Sequence, residues 1–103
     1  MIKVVKPGKE EVKRRLADVP DEKRFWCHDG KTIKNVKELR KALIDMSDET
    51  FHYHLSEGRN DFSKWIREVV GDDKLAEALG KTRSRIEASK AVVERISFLE
   101  NKT

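Results

Sequence analysis

Short amphipathic segments, each bounded by a capping residue or a glycine, dominate the chain after residue 34. The clearest one lies between Asn60 and Gly71, where apolar residues follow the i, i+3, i+4, i+7, i+8 spacing of one helix face. These residues are Phe62, Trp65, Ile66, Val69 and Val70. A chain built from such segments must pack their apolar sides together, so the pattern predicts a helical fold.

Two further helices are predicted before residue 47. The first begins near Pro7, since proline suits a first helical turn, and it ends at Pro20. Its inward residues are Val12, Leu16 and Val19. Asn35 starts the second helix, with Glu38 three residues later as in a capping box, and this helix ends near Met46. Its inward residues are Val36, Leu39, Leu43 and Met46.

The same signals predict one short helix before the Asn60 segment and one after it. Ser47 or Asp48 caps the first, which Gly58 ends. Its buried side is formed by Phe51, His54 and Leu55. Asp72 caps the second, which Gly80 ends. Its buried residues are Leu75, Ala76 and Leu79.

The last predicted helix is the longest, and Thr82 or Ser84 caps it. Its predicted inner stripe consists of Ile86, Val92, Val93, Ile96 and Leu99. Phe98 lies off this stripe, beside Glu87 and Glu94 at 100° per residue. It is therefore either a second packing contact or an exposed apolar contact for a partner.

A β-hairpin is predicted between the first two helices. Residues 24–28 and 31–34 are β-prone and are joined by Asp29-Gly30, a dipeptide that readily takes the positive φ angles of a tight hairpin turn. Alternation along the strands predicts two faces, one with Phe25, Cys27 and Ile33, the other with Trp26 and His28.

The predicted fold is thus mainly α: a compact bundle of about five or six short helices with one small β-hairpin near residues 24–34. Its length of 103 residues predicts a single domain over 1–103. Charged residues make up 41%, which suits the ion-paired surfaces common in thermophile proteins. The lone Cys27 excludes an internal disulfide, and no apolar run approaches the ~20 residues that span a bilayer. We expect a cytoplasmic protein without membrane contact.

Polar and aromatic residues converge in FHYHLSEGRNDFSKWI, residues 51–66. We interpret this stretch as a structural corner between two helices. Asn60 and Asp61 are favoured capping residues at the start of a helix, while the Trp65 indole N–H bonds a carbonyl or His54. The predicted corner residues are His54, Asn60, Asp61, Phe62 and Trp65.

A metal site is the first chemical alternative for this stretch, because imidazole and thiolate together suit zinc. It recruits His52 and His54 with Cys27 or His28. In a helix, however, residues two apart point about 200° away from each other, so the two histidines do not face one ligand. We expect neither metal nor another cofactor.

Nucleophilic catalysis is the second alternative, with Cys27 as nucleophile, a histidine as base and Asn60 or Asp61 as orienting group. No local signature of such chemistry, no glycine-rich phosphate loop and no H-E-x-x-H motif occurs. We therefore expect a protein that is not an enzyme and has no small-molecule substrate.

The stretches FWCHDGKTIKNVKEL, NDFSKWI and GDDKLA, with His54 between the first two, resemble a family of small uncharacterised domains of archaeal type. The resemblance extends from Phe25 to Leu79 and is marked by D-G-x-x-I-x-N and N-D-F-x-x-W-I. It implies that the corner residues form a recurring unit. It implies no activity.

Two binding hypotheses remain. The first is a non-enzymatic module for protein–protein interaction or self-association, with Phe98 and Trp26 as interface residues. The second is binding to the DNA or RNA backbone, because residues 1–40 carry twelve Lys/Arg against seven Asp/Glu and residues 81–103 carry six against three. Its predicted phosphate contacts are Lys13, Arg14, Arg15, Lys81, Arg83, Arg85 and Lys90.

Overall fold

Side-chain caps define where five of the six α-helices begin in this computed structural model, which describes residues 8–101. The helices are α1 Lys9–Leu16, α2 Val36–Asp45, α3 Asp48–Tyr53, α4 Asp61–Trp65, α5 Asp73–Gly80 and α6 Arg85–Glu100. The capping residues are Asn35, Ser47, Asn60, Asp72 and Ser84, and each accepts a backbone N–H of the first turn. The predicted fold class, mainly helical with one small hairpin, is confirmed.

The hairpin pairs β1, Phe25–Trp26, with β2, Thr32–Ile33, in an antiparallel register that sets Phe25 opposite Ile33. The predicted alternation is confirmed, because the residues of one face, Phe25, Cys27 and Ile33, are buried while Trp26 and His28 are exposed. Each strand has two residues and is therefore shorter than predicted.

The hairpin turn also differs from the prediction. Only Gly30 has a positive φ, 92°, while Asp29 does not. The Gly30 N–H bonds the Cys27 carbonyl at 2.9 Å, and the Cys27 N–H bonds the Lys31 carbonyl at 2.9 Å. The connection is therefore a three-residue loop that ends in a left-handed glycine, not a two-residue turn.

Helices α2 and α6 pack side by side and antiparallel. At one end, Nη1 of Arg85 donates to the carbonyls of Leu43 and Ile44 at 2.9 Å each. At the other end, Nζ of Lys37 lies 3.0 Å from the Glu100 carboxylate. The hairpin and helices α4 and α5 complete one hydrophobic core with this pair. In residues 8–101, no helix is both long and apolar enough to cross a membrane.

Helix α1 ends earlier than predicted. The described part of the helix begins at Lys9, and the predicted start at Pro7 lies outside residues 8–101. Ala17 is already extended, with ψ of 164°, and the Val19 N–H bonds the Lys34 carbonyl at 2.7 Å. Tertiary pairing with the segment before α2 therefore ends the helix at Leu16, four residues before the proline.

The connection between α3 and α4 is irregular. Helix α3 ends at Tyr53, and a short 3-10 turn, Ser56–Gly58, follows. Within it Glu57 and Gly58 have positive φ values of 57° and 77°. Helix α4 continues into a π-helical turn, Ile66–Val70, which ends at left-handed Gly71 as predicted.

The predicted inner stripe of α6 is partly wrong. Ile86 and Val93 are 63% and 41% exposed. The buried residues of the helix are Ala88, Val92, Ile96 and Leu99. Ala88 takes a place predicted for larger side chains, because α2 and α5 pack against α6 and the buried side of α6 includes residue 88.

Candidate functional site

His54 occupies the centre of the predicted corner and is 4% exposed. Its Nε2 accepts the backbone N–H of His28 at 3.0 Å, so this nitrogen carries no proton. Its Nδ1 therefore carries the hydrogen and donates it to Oδ2 of Asp61 at 2.8 Å. Both ring nitrogens are engaged, and the imidazole joins the hairpin to the start of α4.

Aromatic rings pack around this imidazole. The ring centre of Phe25 lies 5.0 Å from that of His54, 5.1 Å from Phe62 and 5.9 Å from Trp65. The indole Nε1 of Trp65 donates to the carbonyl of Lys23 at 2.9 Å. Ring contacts and the bond from Trp65 to Lys23 thereby hold strand β1 against α4, while the His28 N–H holds the strand to His54 after α3.

Asn60 and Asp61 have different partners. Oδ1 of Asn60 accepts the Ser63 N–H at 3.1 Å, and its Nδ2 donates to the Leu79 carbonyl at 3.0 Å. Asn60 thus caps α4 and also holds the end of α5. Asp61 was expected to bond backbone amides, but its carboxylate contacts the Nδ1 of His54 and the Nε of Arg59, the latter at 3.3 Å.

A stack of polar rings covers the corner on its solvent side. The rings of His28 and Tyr53 are parallel, with centres 3.8 Å apart. The guanidinium carbon of Arg59 lies 5.1 Å from the Tyr53 ring centre. Trp26 is 71% exposed and shares the outward face of the hairpin with His28.

The residues considered for metal binding are not arranged as a ligand set. His52 is exposed, while the ring nitrogens of His54 are already bonded. Among residues 8–101, no three His, Cys, Asp or Glu side chains are close enough to hold an ion.

Cys27, the nucleophile of the catalytic alternative, is buried. Burial raises the pKa of its thiol above the ordinary value of 9.0, and the nearby Asp29 charge adds to this effect. Nucleophilic cysteines need the opposite shift, because the thiolate is the reactive species.

The basic residues predicted to contact phosphates lie toward opposite ends of the α2–α6 pair. Nδ2 of Asn35 donates to Asp18 at 2.8 Å, so the end of α1 that carries Lys13, Arg14 and Arg15 lies beside the start of α2. Arg85 lies at the other end and bonds Asp48 at 2.9 Å. Neighbouring Lys81 and Arg83 lie at the Arg85 end, whereas Lys90 follows in α6.

Phe98 and Trp26, the predicted interface residues, have different surroundings. Phe98 is 42% exposed, and the guanidinium of Arg95 lies 5.1 Å from its ring centre. It borders a groove with the α5 residues Lys74, Leu75 and Ala78. Trp26, by contrast, projects from the hairpin.

A further exposed surface, with apolar and polar residues side by side, was missed by the sequence analysis. Four exposed residues of α6 fall within about 60° on a helical wheel, and we call them the outer face: Ile86, Lys90, Val93 and Ser97. Ile44, 55% exposed, lies at the end of α2 that Arg85 contacts, beside the first turn of α6. The sequence signal for this surface was the seven-residue interval between Ile86 and Val93, which places both residues on the same side of a helix.

Comparison with known proteins gives one family. No curated protein and no solved structure matches the chain. The model of a family of unknown function, DUF5752, matches residues 20–91, which include the hairpin, the corner and the beginning of α6. This agrees with the expected resemblance to uncharacterised small domains. Because the match covers well over half of the chain, the protein belongs to the DUF5752 family.

Proposed function

We propose that this protein is a non-enzymatic interaction module that self-associates through the outer face of α6. The observation that carries the proposal is the exposure of Ile86 and Val93, 63% and 41%, on a helix whose opposite side is fully buried. Apolar residues on the solvent side of a helix are additional to the stripe that its core packing needs, so they favour a partner that covers this side as well. A second copy of the chain is the cover that we propose.

Charge favours a second copy as the partner. Lys90 and Glu94 lie next to each other on the helical wheel, and neither forms an ion pair with any residue in 8–101. In an antiparallel pair of α6 helices with a two-fold axis near Val92, Lys90 of each copy lies level with Glu94 of the other. One surface then supplies both members of each ion pair, as a two-fold interface requires.

The expected association is weak. Helix α6 has 16 residues and is about 24 Å long. A stable dimer buries about 800 Å² on each partner, which exceeds what one face of a helix this short provides. We therefore expect a dissociation constant between about 10 µM and 1 mM, corresponding to roughly −7 to −4 kcal/mol.

Sedimentation velocity of the full chain over this concentration range tests the proposal. The sedimentation coefficient of the parent should rise with concentration. Lys90→Glu should keep the chain monomeric, because like charges then meet across the axis, and the double variant Lys90→Glu/Glu94→Lys should restore association. Since both residues are exposed, all variants should melt close to the parent.

Trp26→Ser is the matched control, because it removes the most exposed large apolar side chain from a different surface. It should leave association unchanged. A parent that stays monomeric throughout the range refutes self-association. If Trp26→Ser loses association and Lys90→Glu does not, the interface lies on the hairpin and not on the outer face of α6.

Nucleic-acid binding remains the alternative proposal, supported by the exposed Lys13, Arg14 and Lys90. It predicts binding of a labelled duplex or single strand that weakens steeply with salt. The opposed positions of the α1 and Arg85 groups favour self-association over this alternative.

A further inference from the structure

A surface cavity of about 510 Å³ lies where the turn after α3 meets the turn between α5 and α6. Its lining residues are His52, Leu55, Gly58, Arg59, Asn60, Gly80 and Arg83. Three of these side chains are basic and none is acidic. The volume falls within the range of about 300 to 1,000 Å³ that small-molecule sites occupy.

Arg83 is a cation without a carboxylate partner among residues 8–101. It is exposed, and its Nη1 makes only long contacts, to the carbonyls of Gly80 at 3.4 Å and Thr82 at 3.3 Å. The carboxylate of nearby Glu87 bonds the backbone N–H of Arg83 and not its guanidinium. Nε and Nη2 of Arg83 therefore remain available to a ligand.

Arg59 provides a second guanidinium whose orientation is fixed. Its Nη2 donates to the Tyr53 carbonyl at 3.0 Å, its Nε contacts Asp61 at 3.3 Å, and its Nη1 lies 3.9 Å from the Glu57 carboxylate. Its guanidinium carbon lies 5.1 Å from the centre of the Tyr53 ring. The Asp61 charge is shared with the Nδ1–H of His54. Because the orientation exists before any ligand arrives, binding costs little ordering of this side chain.

The backbone beside Arg59 is strained. Glu57 has a φ of 57°, a left-handed conformation that costs a residue with a side chain about 1 to 2 kcal/mol. Gly58 follows with a φ of 77°. Strained positions of this kind cluster at ligand sites, and here the strained turn brings the chain to the cavity wall.

We propose that this cavity binds the oxyanion group of a small ligand, a phosphate or a carboxylate, between Arg59 and Arg83. Planar guanidinium groups bind such oxygens in pairs, and two of them bracket a single anionic group. The His52 imidazole also lines the cavity. The site shares no residue with the outer face of α6. A failure of self-association would therefore not contradict anion binding, and a failure of anion binding would not contradict self-association.

Titration of the 15N-labelled full chain with inorganic phosphate, and separately with acetate, tests this site. Ionic strength is held constant with chloride, and the protein is kept dilute. Saturable amide shifts are expected at Gly58, Arg59, Gly80 and Arg83. Arg83→Gln should weaken phosphate binding at least about tenfold, which corresponds to 1.4 kcal/mol.

Arg67→Gln is the matched control, because Arg67 is exposed, lies outside the cavity lining and loses the same charge. It should bind like the parent. Arg83→Lys keeps the charge but removes the planar fork, and it should bind with intermediate affinity. Circular dichroism checks that each variant is folded, as the exposure of both arginines leads us to expect.

The two titrations distinguish the ligand classes. Phosphate that binds clearly more tightly than acetate assigns a phosphate-bearing ligand. Acetate that binds as tightly as phosphate, although it carries less charge, assigns a carboxylate-bearing one. Shifts that never saturate with either anion overturn the proposal. It is also overturned if Arg83→Gln and Arg67→Gln weaken binding equally, because the effect then reflects net charge alone.

Discussion

The two tryptophans provide a matched pair for testing the corner, since the structure gives them opposite environments. Trp65 is 7% exposed, packs edge-on against Phe25 and donates its indole N–H to Lys23. Trp26 is 71% exposed. Trp65→Ala should therefore reduce the free energy of unfolding by about 3 to 5 kcal/mol, while Trp26→Ala should change it by less than about 0.5 kcal/mol.

The expected loss for Trp65→Ala is large relative to the whole stability. Domains of this size unfold with about 5 to 15 kcal/mol. With a slope of about 1.5 kcal/mol per molar urea, the midpoint should fall by roughly 2 to 3 M. Trp65→Phe keeps a ring against Phe25 but loses the hydrogen bond to Lys23, so we expect about 1 to 2 kcal/mol.

Urea unfolding followed by far-ultraviolet circular dichroism measures both variants without relying on tryptophan fluorescence. Parallel slopes indicate that the midpoint shift reports stability. If Trp65→Ala unfolds at the same urea concentration as the parent, the indole is not a core residue. If Trp26→Ala is equally destabilised, the hairpin packs differently from what is described above.

Three further predictions concern single side chains. Asn60→Ala should cost about 1 to 2 kcal/mol by urea unfolding, because the cap of α4 and the bond to Leu79 are both lost; an unchanged midpoint would contradict this. Arg95→Leu should cost about 3 to 5 kcal/mol in the same assay, since it leaves the fully buried carboxylate of Asp72 without its two guanidinium bonds of 2.8 and 3.0 Å; a loss below about 1 kcal/mol would refute it. Burial raises the pKa of the Cys27 thiol in the folded state, so the stability linked to its protonated form is present below the ordinary pKa of 9.0 and is lost as pH rises through the folded value; Cys27→Ala should therefore lose less stability than the parent as pH rises above 9.0, and parallel pH profiles would contradict the shift.

Local chemistry explains what was predictable from the sequence. The starts of the helices could be predicted from capping residues such as Asn35 and Asp72. Each side-chain oxygen accepts the backbone N–H three residues later, a contact that does not depend on distant parts of the chain. The two faces of the hairpin could be predicted from strand alternation, which is also local, because successive side chains of a strand point to opposite sides. Phe98 was correctly placed off the buried stripe by helical geometry alone.

Tertiary contacts explain what was missed. The sequence favoured Ile86 and Val93 over Ala88 as core residues because they are larger and more apolar, but the packing of α2 and α5 against α6 selects the small side chain. The bond between His54 and Asp61 spans a turn in which Glu57 is left-handed, and glutamate does not favour that conformation, so the residue types did not predict the turn. Binding surfaces depend on such packing, so neither the outer face nor the cavity was predicted.

The attachment of the hairpin through the His54 imidazole has a consequence for cooperativity. Two residues per strand are too few for independent stability. The His28 amide, which bonds Nε2 of His54, should therefore exchange its hydrogen only when the helices themselves come apart, at the slow rate of the protein's global opening. The smallest element of the fold would then be among its last to open.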